Sequence, residues 1–414
     1  MQTNTSVLAN TNYFIALEEK YGAHNYHPLP VVLSRGEGVF VWDVEGKKYF
    51  DFLSGYSAIN QGHCHPAIIE AFTEQAHKLT LTSRAFYNDQ LGPFEKYITG
   101  LFHFDKVLPM NSGVEAVETA IKLCRRWAYR VKKVQENEAV IIVCKNNFHG
   151  RTTTVISFSN DESSRNDFGP YTPGFHMIEY NDLPALEQAL QLPNVAGFLV
   201  EPIQGEAGVV VPDDGYLSKA FDMCKNANVL FMADEIQTGL CRTGKMLACD
   251  HEDVHPDILI LGKALSGGTM PVSAVLANNE IMMTIEPGDH GSTYGGNSLA
   301  CKVAMVSLQV LLDENMAENA EAMGKLFRDE LEKINSPYIK TIRGKGLLNA
   351  IEINHKNLNA AWELCLRLKE LGLIAKPTHG DKIRFAPPLI ISAEQIQECV
   401  NIIQESLVVL DTLQ

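Results

Sequence analysis

The sequence lacks the features that define several other classes of protein. Its 414 residues contain no apolar run long enough to cross a membrane and no C-x-x-C pair among nine scattered cysteines. Basic residues are scarce, with 35 Lys and Arg against 50 Asp and Glu, so the formal net charge is -15. These absences argue against a membrane protein, a disulfide-stabilised secreted domain and a nucleic-acid-binding protein.

The first 34 residues are also poor in positive charge. Lys20 is the only Lys or Arg before Arg35, and Glu18 and Glu19 stand beside it. A secretory signal or an Arg-rich transit peptide needs positive charge. Because the cysteine pattern also suits reduced thiols, we expect a cytoplasmic location.

The chain does contain an alternation of helical patterns and short apolar runs between about residues 65 and 280. The runs that predict buried strands are 140–144, 197–200, 230–233, 258–261 and 273–277. This alternation is typical of an α/β fold with a mainly parallel central sheet and flanking helices. In such sheets, ligands bind at the carboxyl ends of the strands.

Two charged residues stand at the ends of these predicted strands. Lys263 follows the run 258–261, and Asp234 ends the run 229–233. A lysine can hold an aldehyde as a Schiff base, and an aspartate can pair with a pyridinium nitrogen. The pair therefore predicts pyridoxal 5′-phosphate (PLP) as the cofactor.

The start of a predicted helix at Ser112 and Gly113 suits a phosphate group. The first-turn amides of a helix have no intrahelical partner and attract anions. Ser112 could equally be an ordinary N-cap, but beside Lys263 and Asp234 we favour the phosphate cradle. Phe148 could either lie in the core or stack on a flat cofactor.

Several other motifs have simpler interpretations. Residues 239–245 spell G-x-x-x-x-G-K, which leaves a P-loop nucleotide-binding protein as the alternative from another class. Met246 stands where a P-loop needs Ser or Thr, so we interpret the match as chance. The segment 63–65 has no second Cys/His pair for a metal site, and His149 is interpreted as structural. Spacing alone does not pair the charges of Glu206 and Arg384.

Motifs along nearly the whole chain resemble the class III, fold-type I aminotransferases. The segments that carry the resemblance are 21–26, 60–66, 148–152, 201–206, 233–239 and 291–297. The features that point further, to the ornithine branch of the class, are Tyr26, Tyr56, the segment 343–349 and the segment 384–388. The resemblance implies three parts: an N-terminal arm with short strands that packs with the small domain (1–60), a large PLP-binding domain (61–295) and a small α+β domain (296–414).

The resemblance also implies roles in the cofactor site. Lys263 would carry PLP as a Schiff base, Asp234 would hold the ring nitrogen protonated, and Gln237 would bond the ring hydroxyl. The remaining cofactor residues would be Phe148 on the ring face, Ser112, Gly113 and Val114 at the phosphate, and Ser292 and Thr293. Thr293 would reach the phosphate of the other subunit of a homodimer. No metal is implied.

The implied substrates are an amino acid and a 2-oxo acid. Tyr26, Tyr56 and Arg151 would bind ornithine, Arg384 would bind the α-carboxylate of glutamate or 2-oxoglutarate, and Glu206 would mask Arg384 while ornithine is bound. The implied reaction moves the δ-amino group of L-ornithine to 2-oxoglutarate. It yields glutamate and glutamate 5-semialdehyde, which cyclises to pyrroline-5-carboxylate. N-acetylornithine, 4-aminobutyrate and lysine remain alternative amino donors.

Overall fold

The computed structural model describes residues 10–413. The helices are α1 (Thr11–Tyr21), α2 (Ser54–Ser57), α3 (Pro66–Lys78), α4 (Leu91–Phe102), α5 (Gly113–Arg130), α6 (Thr153–Ile156), α7 (Glu162–Arg165), α8 (Leu183–Leu190), α9 (Tyr216–Asn226), α10 (Asn279–Met282), α11 (Ser298–Asp313), α12 (Met316–Glu332), α13 (Ala360–Leu371) and α14 (Ala393–Ser406). Short 3₁₀ helices cover Ala248–Glu252, Lys263–Ser266 and Leu407–Thr412.

The strands belong to three sheets. They are β1 (Leu33–Glu37), β2 (Phe40–Asp43), β3 (Lys48–Asp51), β4 (Lys106–Met110), β5 (Val140–Cys144), β6 (Phe175–Ile178), β7 (Val195–Val200), β8 (Leu230–Asp234), β9 (Ile258–Leu261), β10 (Ser273–Ala277), β11 (Ile339–Lys345), β12 (Leu348–Ile353), β13 (Leu373–Ile374), β14 (Lys376–Thr378) and β15 (Lys382–Phe385).

A seven-stranded sheet forms the centre of the molecule, in the order β4-β10-β9-β8-β7-β5-β6. Neighbouring strands from β9 to β6 run parallel, and β10 runs antiparallel to both β4 and β9. Every residue of β7, β8, β9 and β10 is buried. The predicted α/β fold with a mainly parallel sheet is therefore confirmed. These strands were predictable because strands covered on both faces need continuous apolar runs.

The two edge strands, β4 and β6, are absent from the sequence prediction. Strand β4 contains Pro109, and three of the four residues of β6 are only half-buried. An edge strand tolerates proline and lacks a fully buried apolar run. Edge strands consequently give a weaker sequence signal than central ones.

The C-terminal part of the chain forms a four-stranded antiparallel sheet in the order β11-β12-β15-β14. A capping box stands at the start of α14, where Ser392 and Gln395 side chains accept hydrogen bonds from each other's backbone N–H groups. A third sheet joins β1, β2 and β3 to β13, which runs parallel to β3. The N-terminal strands thus pair with a strand from the C-terminal part, whereas the exact domain boundaries remain a prediction.

The described residues also bear on the membrane and metal interpretations. No helix within residues 10–413 is both long and apolar enough to span a bilayer. The nine cysteines are free thiols, and all except Cys64 are buried. His63 lies 2.8 Å from an oxygen of Asp51, and His65 lies 2.8 Å from an oxygen of Glu314, just before α3 begins. These histidines have structural partners.

Candidate active site

Lys263 and Asp234 lie at the carboxyl ends of two neighbouring parallel strands. Asp234 is the last residue of β8 and lies opposite Ile260 of β9. Lys263 follows β9 by two residues and has a φ of 43°, in the left-handed region that non-glycine residues rarely adopt. Such backbone strain is common where function dictates the direction of a side chain.

The environment of Lys263 favours the neutral, nucleophilic form of its amine. Burial lowers the pKa of Lys263, although the negative charges of Glu206 and Asp234 oppose this change. No carboxylate of the described residues forms an ion pair with this amine. A desolvated lysine without a fixed partner is suited to attack a carbonyl group.

A buried histidine orients Asp234. His149 Nδ1 lies 2.6 Å from Asp234 Oδ2, and the Ile236 N–H donates to Asp234 Oδ1 at 3.1 Å. Burial opposes a charge on His149, but the hydrogen bond and charge of Asp234 raise the pKa of His149 overall. The structural interpretation of His149 is therefore incomplete, because this residue holds the aspartate that faces the cavity. Only its position beside Phe148 could have indicated this role.

The phosphate cradle forms at the start of α5. The Ser112 side chain accepts a hydrogen bond from the Glu115 N–H, and the Glu115 carboxylate accepts one from the Ser112 N–H. Both side chains are therefore engaged in the capping box. The N–H groups of Gly113 and Val114 have no partner within the helix. A Cβ atom on Gly113 would lie 3.1 Å from Ile236, so a side chain at this position would crowd the cradle. This geometry fits a phosphate at the helix N-terminus.

Glu201, which follows β7, supports the loop that carries Phe148. Its carboxylate accepts the Phe148 N–H at 2.7 Å and the Gly205 N–H at 3.4 Å. Burial raises the pKa of Glu201 to about 7. Sequence analysis assigned Glu201 no role, although a charged residue directly after a buried strand is a signal for one. The Phe148 ring remains 37% exposed and borders the cavity.

The cavity has a volume of about 190 Å³ and opens at the end of the central sheet. Of the predicted site residues it is lined by Gly113, Val114, Phe148, Glu206, Asp234, Gln237 and Lys263. The Gln237 amide donates to the Tyr56 carbonyl at 3.3 Å and lies 3.5 Å from Glu206 Oε1. A buried amine, a strand-end aspartate, an aromatic ring and a helix N-terminus around one cavity together fit PLP.

The substrate side of the cavity contains an ion pair between two distant segments. Arg384 Nη1 lies 2.7 Å from Glu206 Oε1. Burial alone would raise the pKa of Glu206, but the charges of Arg384 and Lys263 lower it overall, so Glu206 is an anion at neutral pH. Arg384 is 2% exposed, and its buried Nε–H has no partner within residues 10–413. Glu206 therefore does not satisfy every buried donor of Arg384.

Tyr26, Tyr56 and Arg151 lie around the mouth of the site. Tyr26 is 68% exposed. The Arg151 guanidinium lies 5.6 Å from the centre of the Phe148 ring, and that of Arg384 lies 5.2 Å from the Tyr56 ring. Tyr56 has a left-handed backbone, with φ 60° and ψ 42°. Arg151 and Tyr56 therefore lie beside residues of the cavity or of its ion pair, and Tyr26 lies near Tyr56.

Ser292 and Thr293 do not line the cavity of their own chain. Ser292 Oγ accepts a bond from the Asn111 side chain at 2.9 Å, and Thr293 is exposed. Within a single chain Ser292 therefore bonds the residue that precedes the Ser112 cap, and Thr293 lies outside the cavity.

The segment that resembles a P-loop has a structural role. It follows β8 and leads into a buried turn, in which Leu240 and Cys241 have left-handed backbones. Arg242 is fully buried and donates to Asn60 Oδ1 at 2.6 Å and to the Leu347 carbonyl at 3.0 Å. This segment joins the central sheet to the C-terminal part and offers no helix N-terminus to a nucleotide.

Comparison with known proteins identifies the relatives of this chain. The family model for aminotransferase class-III matches residues 21–407. A curated relative from Drosophila melanogaster, named ornithine aminotransferase, mitochondrial, is 62% identical over 406 residues, which are 98% of this chain and 94% of the relative.

Two solved structures are also similar. Ornithine aminotransferase from Toxoplasma gondii, with PLP at partial occupancy in its active site, has a TM-score of 0.96 at 49% identity and covers 98% of this chain and 96% of its own. Acetylornithine aminotransferase from Elizabethkingia anophelis has a TM-score of 0.89 at 61% identity and covers 96% of this chain and 99% of its own.

The comparison corrects the predicted location. The relative from Drosophila melanogaster is named mitochondrial, so the expectation of a cytoplasmic location is wrong. That expectation depended on the charge content of the first 34 residues. Charge in this segment is independent of the fold and the site that the relatives share, and it is therefore a poor guide to the compartment.

Proposed function

We propose that this chain, which belongs to the class-III aminotransferase family, transfers the δ-amino group of L-ornithine to 2-oxoglutarate. The products are glutamate and glutamate 5-semialdehyde, which cyclises to pyrroline-5-carboxylate. The Arg384–Glu206 ion pair is the observation that carries the proposal, because it puts a removable mask on a carboxylate-binding arginine. The relative from Drosophila melanogaster is named for the same activity.

The residues around the cavity divide the chemical work. Bound PLP supplies an electron sink for the negative charge that develops on the substrate carbon. Asp234, held by His149, would keep a proton on the ring nitrogen, and Gln237 would bond the ring hydroxyl. Lys263 would hold the cofactor until the substrate amine takes its place. The freed Lys263 amine would then accept the proton of the substrate carbon and later give it up, and the lowered pKa of Lys263 favours the neutral amine that this role needs.

The two substrates must present different ends to the same lysine. Ornithine places its δ-amine near Lys263, so its α-carboxylate must bind at the mouth, where we assign Arg151 and Tyr26. Glutamate places its α-amine there, so its α-carboxylate must bind close by, at Arg384. A charge-assisted arginine–carboxylate contact contributes about 1.5–3 kcal/mol and can enforce each pose.

Glu206 prevents the wrong pose of ornithine. If Arg384 were bare, the α-carboxylate of ornithine could bind it and bring the α-amine to Lys263. The Glu206 carboxylate occupies Arg384 Nη1 and neutralises its charge. A substrate with a second carboxylate can displace Glu206, because it brings its own negative charge to Arg384.

We also infer that a homodimer is the minimal active unit. Thr293 is exposed and lies outside the cavity of its own chain, which suits a contact with the phosphate held by a partner subunit. The segment around it carries Tyr294, and Phe86 and Tyr87 are also highly exposed. Arg84 lies 3.2 Å from the point where a Cβ on Gly296 would stand, so these two aromatic segments are adjacent. Sedimentation of the holoenzyme, with Thr293→Ala measured for retention of PLP, tests this inference.

The main test is the choice of amino donor. A second candidate donor is N-acetylornithine, because a similar solved structure at 61% identity is described as an acetylornithine aminotransferase. We expect kcat/KM to be highest for ornithine, since an exposed Tyr26 hydroxyl can bond a free α-amine. Steady-state rates with ornithine, N-acetylornithine and 4-aminobutyrate decide the question. A preference for either of the last two contradicts the proposal.

A further inference from the structure

A second cation lies beside the mask on Arg384. Lys376 of β14 is directly opposite Arg384 of β15 in the antiparallel pair. Residues opposite each other in such a pair project from the same face of the sheet. Lys376 and Arg384 therefore share the face on which Glu206 lies.

The same strand holds the backbone of Glu206. Two residues along β14, the Thr378 hydroxyl donates to the Glu206 carbonyl oxygen at 2.7 Å. This bond ties the loop after β7 to the C-terminal sheet. The main chain of Glu206 is thereby anchored next to β14, so a change of partner by its carboxylate would require rotation of the side chain.

Lys376 has no fixed counter-ion. It is half-buried, and its Nζ lies 5.7 Å from the centre of the Tyr26 ring at the mouth of the site. No carboxylate within residues 10–413 forms an ion pair with it. Burial lowers the pKa of Lys376, and Glu206 is the acidic group that opposes this change.

Displacement of Glu206 creates a need for such a cation. When a substrate carboxylate binds Arg384, Glu206 loses its ion pair while remaining largely enclosed. An enclosed carboxylate without a partner is strongly unfavourable. Lys263 is the other lysine near Glu206, but its amine is committed to the reaction. Lys376 is therefore available to pair with the Glu206 carboxylate.

We propose that Lys376 is a positioning residue that receives the Glu206 carboxylate when a dicarboxylate substrate occupies Arg384. This inference rests on the proposed function, since it says where the Glu206 carboxylate binds when it no longer masks Arg384. Glu206 then alternates between Arg384 while ornithine is bound and Lys376 while glutamate or 2-oxoglutarate is bound. Lys376 therefore favours the dicarboxylate half of the reaction selectively.

The first test removes the positive charge of Lys376, the second partner of Glu206. For Lys376→Met in the holoenzyme, we expect the KM for glutamate to rise about 10-fold, whereas the KM for ornithine changes less than about 2-fold. Lys376→Arg should restore most of the glutamate KM. Lys340→Met is the matched control, because Lys340 lies in the same sheet and pairs with Glu352 instead. If Lys376→Met matches the control, the proposal is overturned.

The second test distinguishes action through Glu206 from direct contact with the substrate. In a Glu206→Gln background no carboxylate needs a second partner, so we expect Lys376→Met to have no further effect on glutamate. A full effect in that background would overturn the proposal. Calorimetric binding of glutarate, a dicarboxylate that cannot react, gives the same comparison without turnover. Failure of the proposed function is separate, because it would show as absent ornithine turnover in the unmodified enzyme.

Discussion

Asp234 and Lys263 lie at the carboxyl ends of neighbouring strands of one sheet, whereas Glu206 and Arg384 come from a loop after β7 and from a strand of a different sheet. The residues of the cofactor half are consequently largely buried, and short hydrogen bonds from nearby side chains and backbone N–H groups hold them in place. The substrate half depends on long side chains that meet across two parts of the molecule. The difference indicates that the first half determines the type of reaction and the second half determines which amine reacts.

Loss of Lys263 should have the largest effect, because both half-reactions need its amine. For Lys263→Ala we expect turnover to fall by at least about 10³-fold with every amino donor. The visible absorbance of the bound cofactor should also change. Steady-state kinetics and a visible spectrum measure the two effects. A variant that kept normal turnover and an unchanged spectrum would remove Lys263 from the centre of the account.

Asp234→Asn should have the next largest effect and should also be independent of the substrate. Without the carboxylate, His149 loses its charged partner and the ring nitrogen loses its counter-ion. We expect kcat to fall about 10²- to 10³-fold for the ornithine and glutamate half-reactions alike. Asp222→Asn, an exposed change on α9, serves as the control. An effect confined to one substrate would contradict the claim that the cofactor half of the site serves both substrates equally.

Glu206→Gln tests the substrate half and should change the two substrates differently. The neutral side chain leaves Arg384 charged and available, so ornithine can bind in the α-amino pose. We expect kcat/KM for δ-transfer to fall by roughly 10- to 100-fold, the equivalent of one charged contact, whereas glutamate is favoured or unchanged. Parallel single-turnover measurements, with exposed Glu187→Gln as control, check this. Equal losses for both substrates would argue against a mask.

Glu201→Gln should have the smallest effect on activity and a specific effect on stability. The ordinary pKa of this carboxyl is 4.5, and burial raises it to about 7 in the folded state. Its contribution to stability is therefore complete below about pH 4.5 and is lost as the pH rises to about 7, by up to about 3 kcal/mol. Urea unfolding across this range should show a smaller loss in Glu201→Gln than in the unmodified protein, because Glu235, whose pKa burial also raises to about 7, contributes to the loss in both. Identical pH profiles would contradict the raised pKa.

The same contrast explains how much could be predicted from sequence. Central strands such as β8 and β9 need unbroken apolar runs, so these strands and the residues at their ends were recognisable. The bond between His149 and Asp234 spans 85 positions and was not recognisable. Glu206 and Arg384 were named from a resemblance, but only the fold pairs them. The P-loop-like segment around Arg242 shows that a motif can also mislead. Its sequence matches a nucleotide-binding motif, but the segment forms a buried structural turn.

The partition of products from a single turnover of ornithine tests the central claim most directly. The holoenzyme is mixed with ornithine alone, and glutamate 5-semialdehyde, measured as pyrroline-5-carboxylate, is compared with 5-amino-2-oxopentanoate, the product of α-transfer. We predict that the unmodified enzyme forms almost only pyrroline-5-carboxylate, and that Glu206→Gln forms a larger share of the 2-oxo acid. Comparable amounts of both products from the unmodified enzyme would contradict the account.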